Sequence, residues 1–254
     1  MLLETGVRPR FCLLAALMCL AQAAAAVEPI DTEGPDFTDS PQVVPPGRFQ
    51  VEVSPTWSRT RDAGTDFATP TLLRYGLRDD WEVRIAPEGY VREHGVHGMG
   101  DTAIGVKWHS SDGSGAAPAL GWILHLTLPT GAESLRGRGV RPSLHATLSW
   151  DLAHDWDVGV MPGLEVDDDD SGHRFTYGVL GIVAGKHVTE KFRVYGEFSG
   201  ERLTSASHGG TIAEWDTGAS YTLGTETLVG VRLATGVNRD SPARSLLIEL
   251  AHRF

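Results

Sequence analysis

Apolar side chains recur at every second position through most of this chain. In the segment 120–128, one set of alternate positions holds Leu120, Trp122, Leu124, Leu126 and Leu128, and the other includes Gly121, His125 and Thr127. A period of two places successive side chains on opposite faces of a β-strand. Comparable segments, separated by turn residues, follow one another from Phe49 to the end of the chain. The alternation predicts an all-β protein in which each strand has one apolar face and one polar face.

The polar faces carry more charge than the core of a soluble sheet could hold. Charged groups of this number must face water or one another. A transmembrane barrel meets that demand, because its strands of about ten residues turn apolar side chains to lipid and polar ones to the lumen. We therefore predict a single antiparallel outer-membrane β-barrel of about 12 strands over residues 47–254. The candidate lumen-lining residues are Glu52, Arg74, Glu82, Arg84, Lys107, Asp157, Glu165, Arg193, Glu197, Glu214, Asp216 and Arg232.

The two ends of the chain indicate the compartment. Residues 1–26 contain Arg8 and Arg10, then an apolar stretch over 11–20, then a run rich in alanine, which is typical of a cleaved secretory signal peptide. At the other end, Leu246, Ile248, Leu250 and Phe254 share one face of a final strand, a pattern that resembles the assembly signal of outer-membrane barrels. The expected location is the bacterial outer membrane, reached through the periplasm. The expected partners are outer-membrane lipid, lipopolysaccharide and the barrel-assembly machinery.

The segment between signal and barrel, residues 27–46, is polar and lacks the alternation. We expect it to be a short N-terminal segment in the periplasm. The predicted links at one end of the barrel are short, as at 77–80 and 224–226, whereas links such as 88–99 and 129–141 are longer and more polar. This asymmetry predicts an even strand count with both termini at the periplasmic end.

All seven tryptophans fall on the apolar faces. In a barrel, those near strand ends would form an aromatic girdle at the membrane surfaces. In a soluble β-sandwich, the alternative architecture, the same tryptophans would form the core.

Several stretches resemble a known family. They are DTEGPDFTDSP at 31–41, VPPGRFQVE at 44–52, TLLRYGL at 71–77, GMGD at 98–101 and LTLPTG at 126–131. They resemble the outer-membrane transporter-like family labelled "putative MetA-pathway of phenol degradation". The resemblance implies a barrel with a role in the uptake of aromatic or hydrophobic compounds, and it implies no particular binding residues.

The inward charges have two interpretations. They could form a paired network that stiffens and partly fills a narrow lumen, or they could line a pore that favours cations or neutral small-molecule solutes. Gly159, Gly230 and Gly236 point inward and are expected to leave free volume beside the charges. A channel for small solutes, hydrophobic or aromatic ones among them, is the first functional hypothesis, and a structural barrel with a filled lumen is the second.

Other classes of function have weaker support. The formal net charge of −11 disfavours nucleic-acid binding. A barrel-embedded lipid hydrolase could use His145 with Ser143 or Ser149. Residues two apart on a strand lie about 7 Å apart and residues four apart about 13 Å, so both pairs are too distant for a nucleophile and its base. Glu93, His94 and His97 lie in a predicted loop that would not hold a metal geometry. We therefore expect a protein that is not an enzyme and has no cofactor and no metal.

Overall fold

The structure, a computed structural model, describes residues 29–61, 64–169 and 171–254. The predicted signal peptide, residues 1–26, lies outside the described residues. None of the described residues belongs to a helix long and apolar enough to cross a membrane.

One antiparallel sheet contains every strand of the described chain. Its segments are β1 (Phe49–Val53), β2 (Thr56–Thr60), β3 (Gly64–Ala68), β4 (Thr71–Arg78), β5 (Trp81–Pro87), β6 (Tyr90–Glu93), β7 (Val96–Met99), β8 (Thr102–Ser111), β9 (Ala119–Leu128), β10 (Arg141–Leu152), β11 (Trp156–Asp168), β12 (Arg174–Thr189), β13 (Phe192–Leu203), β14 (Ile212–Leu223), β15 (Thr227–Gly236) and β16 (Arg244–Arg253). β16 pairs with β1, which closes the sheet into a barrel.

These 16 segments of the described chain form 12 barrel strands. Each of the first four barrel strands is interrupted once and therefore consists of two segments, and each of the other eight is a single segment. β1 and β2 are separated by Ser54 and Pro55, and both pair with β16. The next strand, β3 with β4, breaks at Thr69 and Pro70. Proline cannot donate to the hydrogen-bond ladder, and Pro55 and Pro70 lie at these first two interruptions. The predicted fold, a closed antiparallel barrel of about 12 strands, is confirmed.

Side chains alternate between the two surfaces of the barrel as the period of two predicts. On β9, Leu124 points outward and is 45% exposed, whereas its neighbour Ile123 points inward and is 1% exposed. Leu124 lies opposite Leu144 of β10 and Val106 of β8, so apolar groups continue from strand to strand around the outside.

Aromatic side chains gather near the ends of the strands. At the end where the barrel begins and finishes, Trp81 stacks on Trp108 and Phe49 stacks on Phe254. Near the other end, Trp57 contacts Phe67, with ring centroids 5.1 Å apart. Two aromatic bands separated by an apolar belt are typical of a barrel in a bilayer.

Links at the end that holds the barrel's two termini are mostly tight turns, as at 79–80, 190–191 and 224–226, and most links at the other end are longer. One prediction about the links was wrong. Residues 88–99, expected as a loop, are extended over most of their length and form the β6–β7 hairpin with a turn at His94 and Gly95. We refer to the end with the termini as the inner end and to the opposite end as the outer end.

Residues 29–46, which we call the plug, lie inside the barrel. The Ile30 amide donates to the Thr225 carbonyl at the inner end. Further along, a Cβ added to Gly230 would lie 2.7 Å from Pro35, and one added to Gly181 would lie 2.3 Å from the Thr38 hydroxyl oxygen. A side chain at either glycine would collide with the plug, so the absence of a Cβ allows the plug to pack closely against the wall at these two positions.

The position of the plug corrects two expectations. Residues 27–46 were expected in the periplasm, yet the structure places residues 29–46 in the lumen, where acidic plug residues meet inward arginines and a lysine. The space beside the inward glycines is also filled. Thr38 occupies it at Gly159, Pro35 occupies it at Gly230, and Ser241 and Pro242 occupy it at Gly236.

Candidate functional site: the lumen and its plug

The largest group of inward charges surrounds Glu33 of the plug. We call it the inner charge cluster, and its members are Glu33, Glu52, Arg74, Glu82, Arg84 and Lys107. Arg74 contacts Glu33, Glu52 and Glu82, each with an N–O distance of 2.9 Å. Lys107 Nζ lies 2.6 Å from Glu33, and Arg84 lies 3.5 Å from it. All six residues are buried. Five of them are predicted lumen-lining residues, and the sixth comes from the plug.

The charge balance of this cluster holds Glu33 ionised. Burial would raise the pKa of its carboxyl group, but Arg74, Lys107 and Arg84 together outweigh that effect and hold the pKa well below its ordinary value. The plug carboxylate therefore brings three buried cations together, because each contacts Glu33 directly.

A second set of contacts holds the plug on the opposite wall. Arg193 of β13 contacts Asp157 of β11 at 2.6 Å and Asp36 of the plug at 3.0 Å. Glu197, also of β13, accepts hydrogen bonds from the Phe37 amide, the Thr38 amide and the Thr38 hydroxyl, at 2.7, 2.8 and 2.6 Å. Charge-assisted bonds of this kind are stronger than those between neutral groups.

The plug separates two cavities in the lumen. The inner cavity, of about 620 Å³, is lined by Ile30 and Pro41 of the plug. The outer cavity, of about 680 Å³, is lined by Pro35 and Phe37 of the plug. Gly34, Asp36 and Asp39 line both cavities, so this stretch of the plug is the partition between them.

Asp39 is the least well compensated acid of this partition. Its carboxylate lies 3.7 Å from Arg84, which it shares with Glu33 and Glu82. Burial and, after it, the nearby charge of Glu33 raise the pKa of Asp39 to about 7. The group therefore changes its charge near neutral pH.

The outer acidic wall is the third concentration of charge. It consists of Glu201, Glu214 and Asp216, which share the guanidinium group of Arg232. The Nη2 atom of Arg232 lies 3.5 Å from Glu201, 3.3 Å from Glu214 and 3.0 Å from Asp216. One guanidinium nitrogen thus serves three carboxylates. Glu249 takes part in none of the ion pairs found within the described residues.

The remaining predicted lumen residue, Glu165, lies in the outer half of the lumen. It accepts hydrogen bonds from His145 Nε2 at 2.9 Å and from the Tyr177 hydroxyl at 2.6 Å. The hydrogen bond found for His145 thus goes to Glu165 and not to Ser143 or Ser149, the partners required for a hydrolase.

The region around His94 does not resemble a metal centre. His94 Nδ1 contacts Glu93 at 3.3 Å, while the His97 ring packs against Tyr90. Within the described residues, no group of three or more potential metal ligands comes together.

The sequence predicted which charged residues of the barrel wall face the lumen, but it did not predict that the acidic residues of the plug lie there too. Asp31, Glu33, Asp36 and Asp39 occur within nine residues of sequence and could have been recognised as partners for the inward arginines. Their segment has no strand periodicity, so nothing in its pattern indicated which side of the barrel it occupies. Glu201 and Glu249, which also line the outer cavity, were not among the candidate lumen-lining residues.

Two solved structures share this architecture. The COG4313 outer membrane channel from Pseudomonas putida F1 aligns with a TM-score of 0.62 and 15% identity, over 85% of this chain and 98% of that chain. The NanC porin aligns with a TM-score of 0.55 and 12% identity, over 79% and 97% of the two chains. At these identities the similarity establishes the fold. The search of curated proteins found no match.

Residues 32–254 match the protein family described as "Putative MetA-pathway of phenol degradation". The match begins within the plug and extends through the last strand to the final phenylalanine. It therefore includes nearly all of the plug and the whole barrel, and the chain belongs to this family.

Proposed function

We propose that this protein is a passive channel for small solutes in the bacterial outer membrane, and that the plug controls passage. The observation that carries the proposal is the position of the plug, which divides the lumen of a closed barrel into an inner and an outer cavity. The plug is held by ion pairs and hydrogen bonds, which can exchange with water as it moves.

The setting of the channel belongs to the same proposal. An outward belt of apolar side chains between aromatic bands fits contact with outer-membrane lipid, with lipopolysaccharide at the outer end. The aromatic C-terminus fits insertion by the barrel-assembly machinery, and residues 1–26 fit a signal peptide that is cleaved on export. The two structures described as a channel and a porin support this class of function over an enzyme.

The solutes we propose are small and include hydrophobic or aromatic molecules. The outer cavity supports this choice, because Leu72, Ala103, Met161 and Leu247 contribute to its lining beside charged groups. A cavity with both kinds of lining can accept a molecule that is only partly polar.

A structural barrel without transport is the second candidate. The inner charge cluster favours it, because five buried charged side chains on neighbouring strands, joined to Glu33 of the plug, stiffen the wall and fill space that a solute would need. The two candidates differ in whether the plug can move out of the way under native conditions.

A variant that weakens one attachment of the plug distinguishes the channel from the structural barrel. Glu197 accepts three hydrogen bonds from the plug through its two carboxylate oxygens. In Glu197→Gln, one of these oxygens is replaced by an NH₂ group, which cannot accept a hydrogen bond. We expect conducting openings in planar bilayers to become severalfold more frequent. The matched control is Glu165→Gln, which removes an inward carboxylate that bonds to His145 and Tyr177 of the wall.

The control should conduct like the wild-type protein, and both variants should keep the heat-dependent gel migration of a folded barrel. Openings that are equally frequent in all three proteins would mean that the plug does not control passage. If all three fold correctly and none conducts, the structural barrel is the correct account.

A further inference from the structure

Glu249 is a buried carboxylate that lacks a counter-ion. Its side chain projects inward from β16, and the residue is 1% exposed. Oε2 accepts a hydrogen bond from the Ser54 hydroxyl, while no donor among the described residues reaches Oε1. A buried carboxylate is costly unless it is paired or hydrogen-bonded at both oxygens. The unpartnered oxygen therefore marks a place where a donor from outside the chain would be stabilised.

The surroundings of Glu249 add negative charge. Glu201 lines the same cavity and shares Arg232 with Glu214 and Asp216, so the outer acidic wall has three carboxylates to one guanidinium. Glu201 is partly exposed, with 38% of its side chain accessible, and can therefore reach a ligand in the cavity. A carboxylate that shares its cation in this way still attracts a further positive charge.

The outer cavity also offers an apolar surface. Pro35 and Phe37 of the plug form its inner boundary, and Leu72, Met161 and Leu247 line its walls. No group of three potential metal ligands exists among the described residues, so the acids do not form a ready site for a metal ion. A ligand that satisfies both features has a positively charged donor and an apolar body.

We propose that the outer cavity is a binding site for an organic ammonium ion. Its N–H groups donate to Glu249 and Glu201, and its alkyl or aryl body lies against Phe37 and the apolar wall. This inference rests on the proposed function, since it names a class of solute that would occupy the cavity before the plug moves. Binding at equilibrium does not require conduction, so the two can fail separately.

Calorimetric titration of the refolded mature protein in neutral detergent tests the site. The probes are phenethylammonium, the neutral 2-phenylethanol and the anion 3-phenylpropionate, which share an aryl body and differ in charge. We expect phenethylammonium to bind at least tenfold more tightly than 2-phenylethanol, and 3-phenylpropionate to show no binding. Glu249→Gln and Glu201→Gln should each weaken ammonium binding at least fivefold.

The matched control is Glu93→Gln, which alters an exposed carboxylate that contacts His94 and lines neither cavity. Its ammonium affinity should stay within twofold of the wild-type value. Equal affinity for the ammonium and the alcohol would overturn the proposal, as would unchanged affinity in the folded Glu249→Gln and Glu201→Gln variants. Ammonium binding by a barrel that never conducts would preserve this inference and reject the channel.

Discussion

At the scale of single residues, Arg74 organises the lumen more than any other side chain of the inner charge cluster. Its guanidinium contacts one plug carboxylate and two wall carboxylates, and the residue is 1% exposed. Removing one partner of a buried ion pair is costly because the other charge is left uncompensated. The sequence identified Arg74 as inward, but the contact with Glu33 depends on the plug.

We predict that Arg74→Met lowers the free energy of unfolding by about 3–5 kcal/mol, because Glu33, Glu52 and Glu82 lose their shared cation. Denaturant titration of protein refolded in lipid vesicles, followed by tryptophan fluorescence, measures the change. Arg78→Met at the inner rim is the control, because Arg78 contacts Asp80 at 3.5 Å on the exposed surface and should contribute little. Similar losses in both variants would contradict the assigned role of Arg74.

Asp39 predicts how plug docking depends on pH. Docking raises its pKa from 3.8 to about 7, so the docked plug binds this proton more tightly than a plug in water. The contribution of this proton to docking therefore grows as the pH falls from about 7 towards 3.8, and it is lost as the pH rises through 7. The groups that influence Asp39 include Glu33, Arg84, Lys107 and His145.

We expect conducting openings to be more frequent at pH 8 than at pH 5.5 in planar-bilayer recordings. Asp39→Asn should reduce that difference, because the amide does not titrate in this range. A pH dependence that is unchanged in the Asp39→Asn variant would assign the effect to another group.

At the scale of elements, the alternation of apolar and polar residues predicted the strands, because each strand has one face towards lipid and one face towards the lumen. The alternation on β9 and β16 predicted side-chain directions that the structure confirms. The β6–β7 hairpin was missed because its turn residues, His94 and Gly95, lie within a polar stretch that also fits a loop. The plug could not be located from its pattern, because its position depends on charge pairing across many residues of sequence.

Neighbouring positions on β10 test the assigned faces. Leu144 points outward and lies opposite Leu124, at the middle of β9, whereas Ser143 lines the outer cavity. Leu144→Arg should cost about 2–4 kcal/mol in folding stability, because an arginine on the lipid face is penalised within the bilayer. Ser143→Arg should cost much less, since its charge enters an acidic cavity. Equal costs in vesicle-based unfolding would mean that the faces are wrongly assigned.

The contacts of Phe254, at the end of the last strand, predict the effect of deleting this residue. The Phe254 amide donates to the Phe49 carbonyl at 2.8 Å, and the two rings stack, so the residue joins the end of the barrel to its beginning. Deleting Phe254 should reduce the yield of heat-modifiable protein in the outer-membrane fraction. Phe254→Tyr, which keeps the aromatic ring, is the control and should insert normally. Normal yield after the deletion would show that the residue is dispensable.

At the scale of the whole molecule, the wall and the plug compensate each other's buried charges. The wall has buried arginines and a lysine that need anions, and the plug supplies Glu33 and Asp36 to them. The closed barrel could be predicted from alternation alone, whereas the occupied lumen could not. The inward glycines illustrate this, because they suggested free volume in the sequence, whereas in the structure Gly159 and Gly230 are contact points for the plug.

A reversible cross-link between the plug and the wall tests most directly whether a movable plug controls passage through the lumen. A Cβ added to Gly181 would lie 3.3 Å from the Thr38 Cβ, close to the separation of about 3.8 Å found in disulfides. Thr38→Cys with Gly181→Cys can be made in a chain whose two cysteines, Cys12 and Cys19, both lie in the predicted signal peptide. Each single-cysteine variant serves as a control for the substitutions themselves.

The measurement is planar-bilayer conductance of the double-cysteine protein before and after addition of a reductant. We predict that the oxidised protein does not open, that reduction restores openings, and that neither single-cysteine variant responds to the reductant. Conductance that is the same in the oxidised and reduced double-cysteine protein would contradict the account, because solutes would then pass a plug that cannot move.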